Sequence, residues 1–331
     1  SQKDRNTGRT TPTPIVVAGI AGGKAYLDAH LLDTGLDCRY ANTKSGRRAL
    51  CNRLRKHRVT RAVFEPTGRY HRQLHQCLAA AGLQTVLVNP LRSRRFAAAL
   101  GQLANNDRVD ATMLARFGRL ADLQATPPQA ANLQLLQDLL VARRKLVAQL
   151  GTLRKLTAAL NPQAAHRLTK PLASLQAART ACDRDLQTCL AADAVLARRA
   201  EIIQSIPGCG PLNAACLCAA MPELGSLGRR PAAALLGLAP FDRDSGQRRG
   251  ARSIRGGRAQ PRHLLYMAAL SATRCQPAAQ ACYQRLVANG KSHKLALVAV
   301  LRRLAGLLDT LLRQDRLWQP APPAHPAEVV V

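Results

Sequence analysis

The first 120 residues alternate between short apolar runs and amphipathic stretches, and this order limits the folds open to the chain. Three runs come in direct succession: "PIVVAGIA" (14–21), "YLDAHLLD" (26–33) and "CRYANT" (38–43). A glycine turn separates the first two, so they predict antiparallel strands with a short third strand after them. "SGRRALCNRLRKH" (45–57) then predicts a helix whose N-cap is Ser45.

Strands and helices alternate after that first helix. The predicted strands are "RAVFEP" (61–66) and "QTVLVNP" (84–90), and the predicted helices are "YHRQLHQCLAAAG" (70–82), "LRSRRFAAALG" (91–101) and "NDRVDATMLARFGRL" (106–120), the last with Asn106 or Asp107 near its cap. Three antiparallel strands followed by strand–helix units describe the ribonuclease H-like fold. We therefore predict an α/β domain over residues 14–127.

Residues 128–200 change to an all-α pattern. Leucines recur every seven residues, which is the spacing of a coiled-coil seam, at Leu139, Leu146, Leu153 and Leu160. Asn161 and Pro162 end this helix, and a second helix over roughly 168–200 completes a helical hairpin. The seam predicts dimerisation, and packing against helices of the same chain is the alternative.

Residues 201–318 predict a mainly helical C-terminal domain. "SIPGCGPLNAACLCAA" (205–220) indicates a helix-hairpin-helix-like element, whose glycine-rich turn has backbone amides that can face a phosphate. A polar, arginine-rich loop and a final amphipathic helix (294–312) follow. The polar residues 1–13 and the Pro- and Ala-rich residues 319–331 predict disordered ends.

The charge of the chain indicates a polyanionic partner. Lys and Arg number 49 against 19 Asp and Glu, a formal net charge of +30. Nucleic acid is the expected partner, with an anionic membrane surface as the alternative. No apolar run approaches the ~20 residues of a membrane span, so we expect a cytoplasmic, nucleoid-associated protein with ten free thiols.

The few carboxylates stand at informative positions. Glu65 ends a predicted strand, and Asp107 and Asp110 lie three residues apart on one predicted helix face. Adjacent acids repel unless a cation lies between them, so these three predict a Mg²⁺ site for phosphodiester chemistry, of the two-metal type, with Mn²⁺ as a substitute. In the alternative interpretation, Asp107 caps the helix and Asp110 pairs with Arg108 or Arg116.

A second cluster combines a serine with arginines. Ser245 and Gly246 precede five arginines that have no acid among them: Arg248, Arg249, Arg252, Arg255 and Arg258. Guanidinium groups hold phosphates, so they could position a phosphodiester for attack by the Ser245 hydroxyl. A simple loop turn is the alternative. His71 and His75 could form a metal pair, but no third ligand is evident, so we expect them to face solvent or nucleic acid.

Six segments together resemble a known family. "FEPTGRYHRQL", "VLVNPLRSRRFA", "LANNDRVDATMLAR", "SIPGCGPLNAA", "LLGLAPFDRDSG" and "LLYMAALSA" look like the DEDD transposases of bacterial insertion sequences. Within these, the chain is most similar to the IS-one-ten (IS110) family and its IS-eleven-eleven branch. The resemblance spans about residues 14–318 and depends on the order and spacing of the motifs in both halves.

The resemblance implies a RuvC-like N-terminal domain, a coiled coil and a C-terminal transposase domain with a serine nucleophile. It implies an element-encoded noncoding guide RNA that pairs with donor and target DNA, which the protein recombines through a transient phosphoserine bond. It also implies homodimers that pair into a homotetramer, with acids of one protomer near the serine of another. Glu65, Asp107 and Asp110 match the family's acids, and Ser245 matches its serine.

One position departs from the family pattern. Related sequences read Gly-Ile-Asp-x-x-Lys where this chain has Ala21 in the place of the aspartate, followed by Lys24 in the place of the lysine. Asp28 lies past the turn on the next strand and is not an obvious replacement. Whether this is a decayed copy or an engineered change, we expect binding of RNA and DNA with poor or no cleavage. Lys24 and the five arginines are the predicted nucleic-acid contacts.

Three functions remain open on the sequence. The first is an RNA-guided transposase that uses Ser245 together with the acids. The second is a RuvC-like junction nuclease, for which Ser245 would be dispensable. The third is a catalytically inactive relic that binds RNA and DNA.

Overall fold

The computed structural model of the chain describes residues 15–68, 70–102, 106–241, 250 and 253–320. It divides into two compact units, Ser1–Gln129 and Ala130–Val331. The two units are mixed α/β and mainly helical, respectively, which confirms the predicted fold classes. The predicted disordered ends lie almost entirely outside the described residues.

A five-stranded mixed sheet forms the centre of the first unit. Its strands are β1 (Val17–Gly22), β2 (Tyr26–Leu31), β3 (Leu36–Ala41), β4 (Arg61–Phe64) and β5 (Gln84–Leu87). They lie in the order β3-β2-β1-β4-β5. β1, β2 and β3 pair antiparallel, whereas β4 pairs parallel with both β1 and β5. This is the arrangement of three antiparallel strands and two strand–helix units predicted from the sequence.

Four helices accompany the sheet: α1 (Lys44–Lys56), α2 (Tyr70–Ala80), α3 (Pro90–Ala99) and α4 (Asp107–Leu120). The predicted cap of α1 was wrong. Thr43 is the N-cap, because its extended backbone lets its hydroxyl accept the Gly46 amide, whereas Ser45 already lies inside the helix. Of the two residues predicted near the cap of α4, Asn106 is the N-cap, and its side-chain oxygen accepts a hydrogen bond from the Val109 amide.

The two faces of the sheet are buried against different helices. One core holds Ile20, Leu27 and Leu31 of the strands together with the buried leucines of α1 and α2. The other core holds Val17, Val63 and Val86 against Leu114 and Phe117 of α4. Because strand side chains alternate between faces, these contacts fix which strand residues point toward α4.

Helix α4 lies unusually close to the central strand β1. A Cβ atom built on Gly19 would lie 2.0 Å from the carbonyl oxygen of Ala111 and 2.3 Å from the amide nitrogen of Ala115. Gly118 repeats this feature, since its Cβ would lie 2.4 Å from a methyl group of Val63. Small residues on both elements therefore set the depth at which α4 packs. They also show that Gly19, and hence Ala21 two residues later, faces α4.

The second unit consists of nine described helices and one short ladder. The helices are α5 (Ala131–Ala159), α6 (Pro162–His166), α7 (Thr169–Ala191), α8 (Ala194–Ser205), α9 (Pro211–Ala220), α10 (Arg229–Leu235), α11 (Ala259–Cys275), α12 (Pro277–Ala288) and α13 (His293–Arg313). Strands β6 (Pro240–Phe241) and β7 (Ser253–Ile254) pair antiparallel. Helix α8 ends at Ser205 and α9 begins at Pro211, so the glycine-rich turn lies between two helices, and the helix-hairpin-helix-like element stays a prediction. The predicted single helix over 168–200 was wrong, because Asp193 caps a new helix by accepting the amides of Val195 and Leu196.

The long helix α5 packs along α7 and shares a core with the C-terminal helices. Its buried residues are Leu136, Leu140 and Leu150. Of the predicted seam, Leu139, Leu146 and Leu153 are half-buried and Leu160 is exposed. Packing within the chain therefore uses a face beside the heptad leucines, and the dimer seam stays a prediction.

All ten cysteines are free thiols, as expected. Within the described ranges, no helix is both long enough and apolar enough to cross a membrane.

The close approach of β1 and α4 makes a first testable prediction. Replacing Gly19 with Ala forces a methyl group into the backbone of α4, so we expect the free energy of unfolding to fall by about 2–3 kcal/mol. Gly22→Ala on the same strand is the matched control, because its Cβ would meet only ordinary contacts at 3.5 Å and beyond. Urea denaturation measures both variants, and an equal effect of the two would contradict the packing described.

Candidate active site

The three predicted acids lie on the face of the sheet that α4 covers. Ile20 of β1 pairs with Phe64 of β4 in a parallel ladder. The residues that follow them, Ala21 and Glu65, therefore lie side by side at the ends of these two strands. Val63 contacts α4 through Gly118, and Glu65, two residues later, follows the same face. Asp107 and Asp110 occupy the first turn of α4. The fold thus directs all three carboxylates to the carboxyl ends of β1 and β4.

The electrostatics of Asp110 indicate that the acids interact. Burial raises the pKa of Asp110, and the nearby charges of Glu65 and Asp107 raise it further, while Arg94 opposes them. A helix N-terminus by itself favours ionised carboxylates. The pKa of Asp110 is nevertheless raised, so burial and like charge outweigh the helix dipole. A cation at this position would relieve the repulsion.

The alternative interpretation of the two aspartates does not fit the local contacts. Asn106 rather than Asp107 caps α4. Arg108, one of the two candidate partners of Asp110, instead pairs with Asp37 on β3, with its Nε 2.7 Å from the carboxylate. The other candidate, Arg116, is not among the charges that shift the pKa of Asp110. Asp107 therefore does not cap the helix, and Asp110 does not pair with Arg108.

Two residues that the sequence reasoning did not single out support the site. The Ser93 hydroxyl of α3 donates a hydrogen bond to Glu65, and Ser93 is itself buried. The hydroxyl of Thr67, in the turn after Glu65, donates to the carbonyl of Gly22 at 2.8 Å, so this turn is tied to the end of β1. No pattern in the sequence could reveal these contacts, because each joins separate elements.

Ala21 and Asp28 stand directly opposite each other on β1 and β2. Directly opposed residues share a face, so Asp28 is beside position 21 and not remote from it, as the turn had suggested. Asp28 is 8% exposed and binds Arg39 through two hydrogen bonds, of 2.8 and 3.1 Å. Arg39 also interacts electrostatically with Asp107. A guanidinium therefore neutralises Asp28 next to Ala21, where the family resemblance implies an acid.

The carboxylates do not form a completed metal cage. Within the described parts of the chain, no three His, Cys, Asp or Glu side chains are arranged to hold a metal ion. Glu65, Asp107 and Asp110 are oxygen donors close enough to raise one carboxyl pKa. Carboxylate oxygens are ligands that suit Mg²⁺ or Mn²⁺. The repulsion of Asp110 by Glu65 and Asp107 is of the kind that a bound cation would relieve.

The two histidines have different surroundings from those expected. His75 is 4% exposed, and its Nε2 donates to the carbonyl of Thr126 at 2.8 Å beside the Thr85 hydroxyl. Burial lowers the pKa of His75, so it is a neutral core residue that joins α2 to β5 and the segment after α4. His71 is half-buried, and burial lowers its pKa as well. The expectation that both histidines face solvent or nucleic acid was therefore wrong for His75.

The predicted nucleophile and most of its arginines lie outside the described residues, namely Ser245, Arg248, Arg249 and Arg252. Arg255 is exposed, with its guanidinium carbon 4.9 Å from the centre of the Phe241 ring. Arg258 forms two hydrogen bonds of 2.6 Å to Glu223 and a third to the Ala220 carbonyl. This arginine is thereby occupied within its own unit.

Lys24 lies exposed in the turn between β1 and β2, where Gly23 donates its amide to the Tyr26 carbonyl. Its side chain is thus close in sequence to Ala21 at the end of β1. This position leaves Lys24 available for the predicted phosphate contact.

Two parts of the chain match known transposase families. Residues 23–162 match a transposase family, that of the DEDD transposases of IS110. Residues 200–284 match the transposase family of IS116, IS110 and IS902. The first match covers Glu65, Asp107 and Asp110, and the second covers Ser245.

Individual relatives agree with the family matches. The pilin gene-inverting protein of Moraxella bovis is 26% identical over 308 residues, which cover 90% of this chain and 96% of the relative. The 44.8 kDa protein of insertion element IS116 from Streptomyces clavuligerus is 39% identical over 130 residues, or 38% of this chain and 32% of the relative. The 42 kDa protein of IS900 from Mycobacterium paratuberculosis is 37% identical over 131 residues, with 38% and 32% covered.

The raised pKa of Asp110 makes a prediction about stability. The folded chain holds the Asp110 proton more tightly than the unfolded chain, so stability falls as pH rises from the ordinary carboxyl range through the raised pKa. Asp110→Asn removes this penalty and should raise the free energy of unfolding at pH 7, by less than about 1 kcal/mol because solvent screens the group.

At pH 3 the two proteins should be equally stable, because the carboxyl is protonated in both folded and unfolded chains. The exposed Asp122 provides the control, and Asp122→Asn should change little at either pH. Thermal unfolding without divalent cations tests this directly. Destabilisation by Asp110→Asn at pH 7 would contradict the described electrostatics.

Proposed function

We propose that this chain is the DNA recombinase of an insertion sequence of the IS110 family, with its acids in a RuvC-like domain. The matches of residues 23–162 and 200–284 to transposase families support this proposal. The observation that carries the proposal is that burial, together with the nearby charges of Glu65 and Asp107, raises the pKa of Asp110 at the start of α4. The similarity to a pilin gene-inverting protein over most of both chains supports DNA recombination as the reaction class.

The acids would hold Mg²⁺ or Mn²⁺. The ion would neutralise the negative charge that develops on the phosphate during strand cleavage. The chain's own residues prepare this site. Ser93 orients Glu65 through its hydroxyl, and Asn106 caps α4 so that Asp107 and Asp110 stay available. The close packing of α4 on Gly19 fixes the height of both aspartates above the sheet.

Ser245 is the proposed nucleophile. Its oxygen forms a bond to phosphorus, its proton passes to solvent or a base, and one phosphorus–sugar oxygen bond breaks. The released sugar oxygen takes up a proton, and the DNA end remains attached as a phosphoserine diester. A sugar hydroxyl from the second DNA then attacks the same phosphorus and restores the serine.

The proposed partners are an element-encoded noncoding guide RNA and the donor and target DNA. The net charge of +30 supports extensive phosphate contact, and shape and pairing would supply the sequence specificity. The half-buried leucines of α5 support assembly of homodimers that pair into a homotetramer.

The substitution at position 21 supports a second candidate, an inactive RNA- and DNA-binding relic. Ala21 takes one charge from the cation site, and Arg39 already neutralises the neighbouring Asp28. We propose that this chain binds its nucleic acids and is impaired in cleavage. A RuvC-like junction nuclease is the third candidate, and it would leave free DNA ends in place of a protein–DNA adduct.

Restoring an acid at position 21 tests the impairment. In co-expression with the element's flanking noncoding DNA and in the presence of Mg²⁺, Ala21→Asp should increase labelled DNA retained on denatured protein by about ten-fold or more, the effect of about 1.4 kcal/mol in transition-state stabilisation. Ala21→Asn is the matched control, because it has nearly the same size without the charge. Equal increases in both variants would assign the effect to shape, and an active parent chain would refute the impairment.

The role of Ser245 is tested in the Ala21→Asp background. Ser245→Ala should abolish the covalent adduct while leaving nucleic-acid binding intact, because the attacking oxygen is removed and the arginines are kept. Ser174→Ala, at an exposed position of α7, serves as the control and should retain the adduct. Adduct formation by the Ser245→Ala variant would favour hydrolysis or another nucleophile.

A further inference from the structure

Helices α10 and α13 of the second unit form an open pocket that is rich in positive charge. Its volume is about 370 Å³. Two of its arginines lie on α10 and two on α13, and only Ala233 and Ala299 complete its lining: Arg229, Arg230, Arg302 and Arg303. All four arginines are exposed at its rim. Four guanidiniums without a lining acid produce a concentrated positive potential.

The pocket is held in shape by buried contacts. Asp309 of α13 is fully buried and accepts the amides of Gly225 at 2.9 Å, Leu227 at 3.2 Å and Gly228 at 2.9 Å. These three bonds fix the start of α10 against α13. Asp309 also pairs with Arg313 and faces away from solvent, so it does not neutralise the pocket.

Gly306 adds a second fixed contact to the same pocket. A Cβ at this position would lie 3.2 Å from both Cγ and Nε of Arg229. The bare helix surface therefore gives the stem of Arg229 a place to lie. The guanidinium is consequently directed by packing as well as by repulsion from its neighbours.

The four guanidiniums have no protein partner in the parts of the chain that the structure describes. Other arginines of this unit do form pairs, as Arg198 does with Glu201 and Arg258 does with Glu223. The pocket therefore holds four positive charges together, and its lining contains no acidic side chain to neutralise them. An external anion with several oxygens would satisfy several guanidiniums at once.

An apolar groove of about 870 Å³ continues from this pocket and shares Arg302 and Ala299 with it. Leu295 and Ile254 line the groove and are 53% and 38% exposed, while Lys291 and Lys294 add positive charge. Pro240, Ser253 and Ile254 also border it. These residues belong to β6 and β7, which in sequence directly flank the segment that contains Ser245.

We propose that the four-arginine pocket binds the sugar–phosphate backbone of a nucleic-acid strand. Phosphates lie among the arginines, and the sugars and bases of the same strand cover the apolar groove. This inference rests on the proposed function and adds a binding surface to it. The contacts are to phosphate, so they position the strand without reading its sequence.

The test compares two triple variants of the full chain that lose the same charge. The pocket variant is Arg230→Gln, Arg302→Gln and Arg303→Gln; Arg229 is kept because its stem packs on Gly306. The control variant is Arg184→Gln, Arg274→Gln and Arg316→Gln, three exposed arginines elsewhere in the unit. Circular dichroism confirms folding, and fluorescence anisotropy measures binding of labelled single-stranded DNA and RNA across a salt series.

The pocket variant should bind about ten-fold or more weakly at 0.1 M salt, and its log K against log salt slope should be shallower by about two, since three phosphate contacts are lost. The control should keep nearly the parent slope. If the pocket variant loses binding of DNA alone or of RNA alone, the result supports phosphate binding by the pocket and identifies which nucleic acid it binds. Equal loss in both variants overturns the pocket while leaving the proposed function standing. A parent chain that binds neither strand refutes both.

Discussion

The close contact between β1 and α4 determines most of what the first unit can do. Gly19 has no side chain, so the backbone of Ala111 comes within a distance that any Cβ would block. This contact sets the height of the first turn of α4 above the ends of β1 and β4. Asp107 and Asp110 lie in that turn, and Glu65 follows β4. One steric constraint thus sets the position of both aspartates of α4 relative to Glu65, which is far from them in the chain.

Uncompensated charge marks both functional surfaces of the molecule. In the first unit, burial and neighbouring carboxylates raise the pKa of Asp110, a cost to folding that a bound cation would remove. In the second unit, four arginines surround one pocket with no acid in its lining. Neither cluster helps the chain fold. Binding of a metal ion by the acids and of phosphate by the arginines would neutralise these charges.

Ala21 adds no charge to this balance. Ala21 stands opposite Asp28, whose carboxylate is fully engaged by Arg39. The end of β1 consequently offers no free carboxylate where the family resemblance implies one. The scaffold around it remains complete, with Gly19, Ser93 and Asn106 in the positions that support the other acids.

The sheet could be predicted from the sequence because its signal is local. Apolar alternation and glycine turns identify β1 and β2 without knowledge of any distant residue. Contacts between separate elements could not be predicted in this way. Ser93 reaching Glu65, Arg39 holding Asp28 and the burial of His75 depend on how the helices pack. The break at Asp193 was missed because a single cap is a weak signal within an apolar helical pattern.

The central claim is that Glu65, Asp107 and Asp110 act as one cation site. Calorimetric titration of Mn²⁺ into the chain tests it most directly, with Asp110→Asn, the triple variant Glu65→Gln, Asp107→Asn and Asp110→Asn, and Asp122→Asn as the control. A single site predicts that Asp110→Asn loses as much binding as the triple variant, while Asp122→Asn binds like the parent chain. Undiminished binding by the triple variant would show that these acids do not form a cation site.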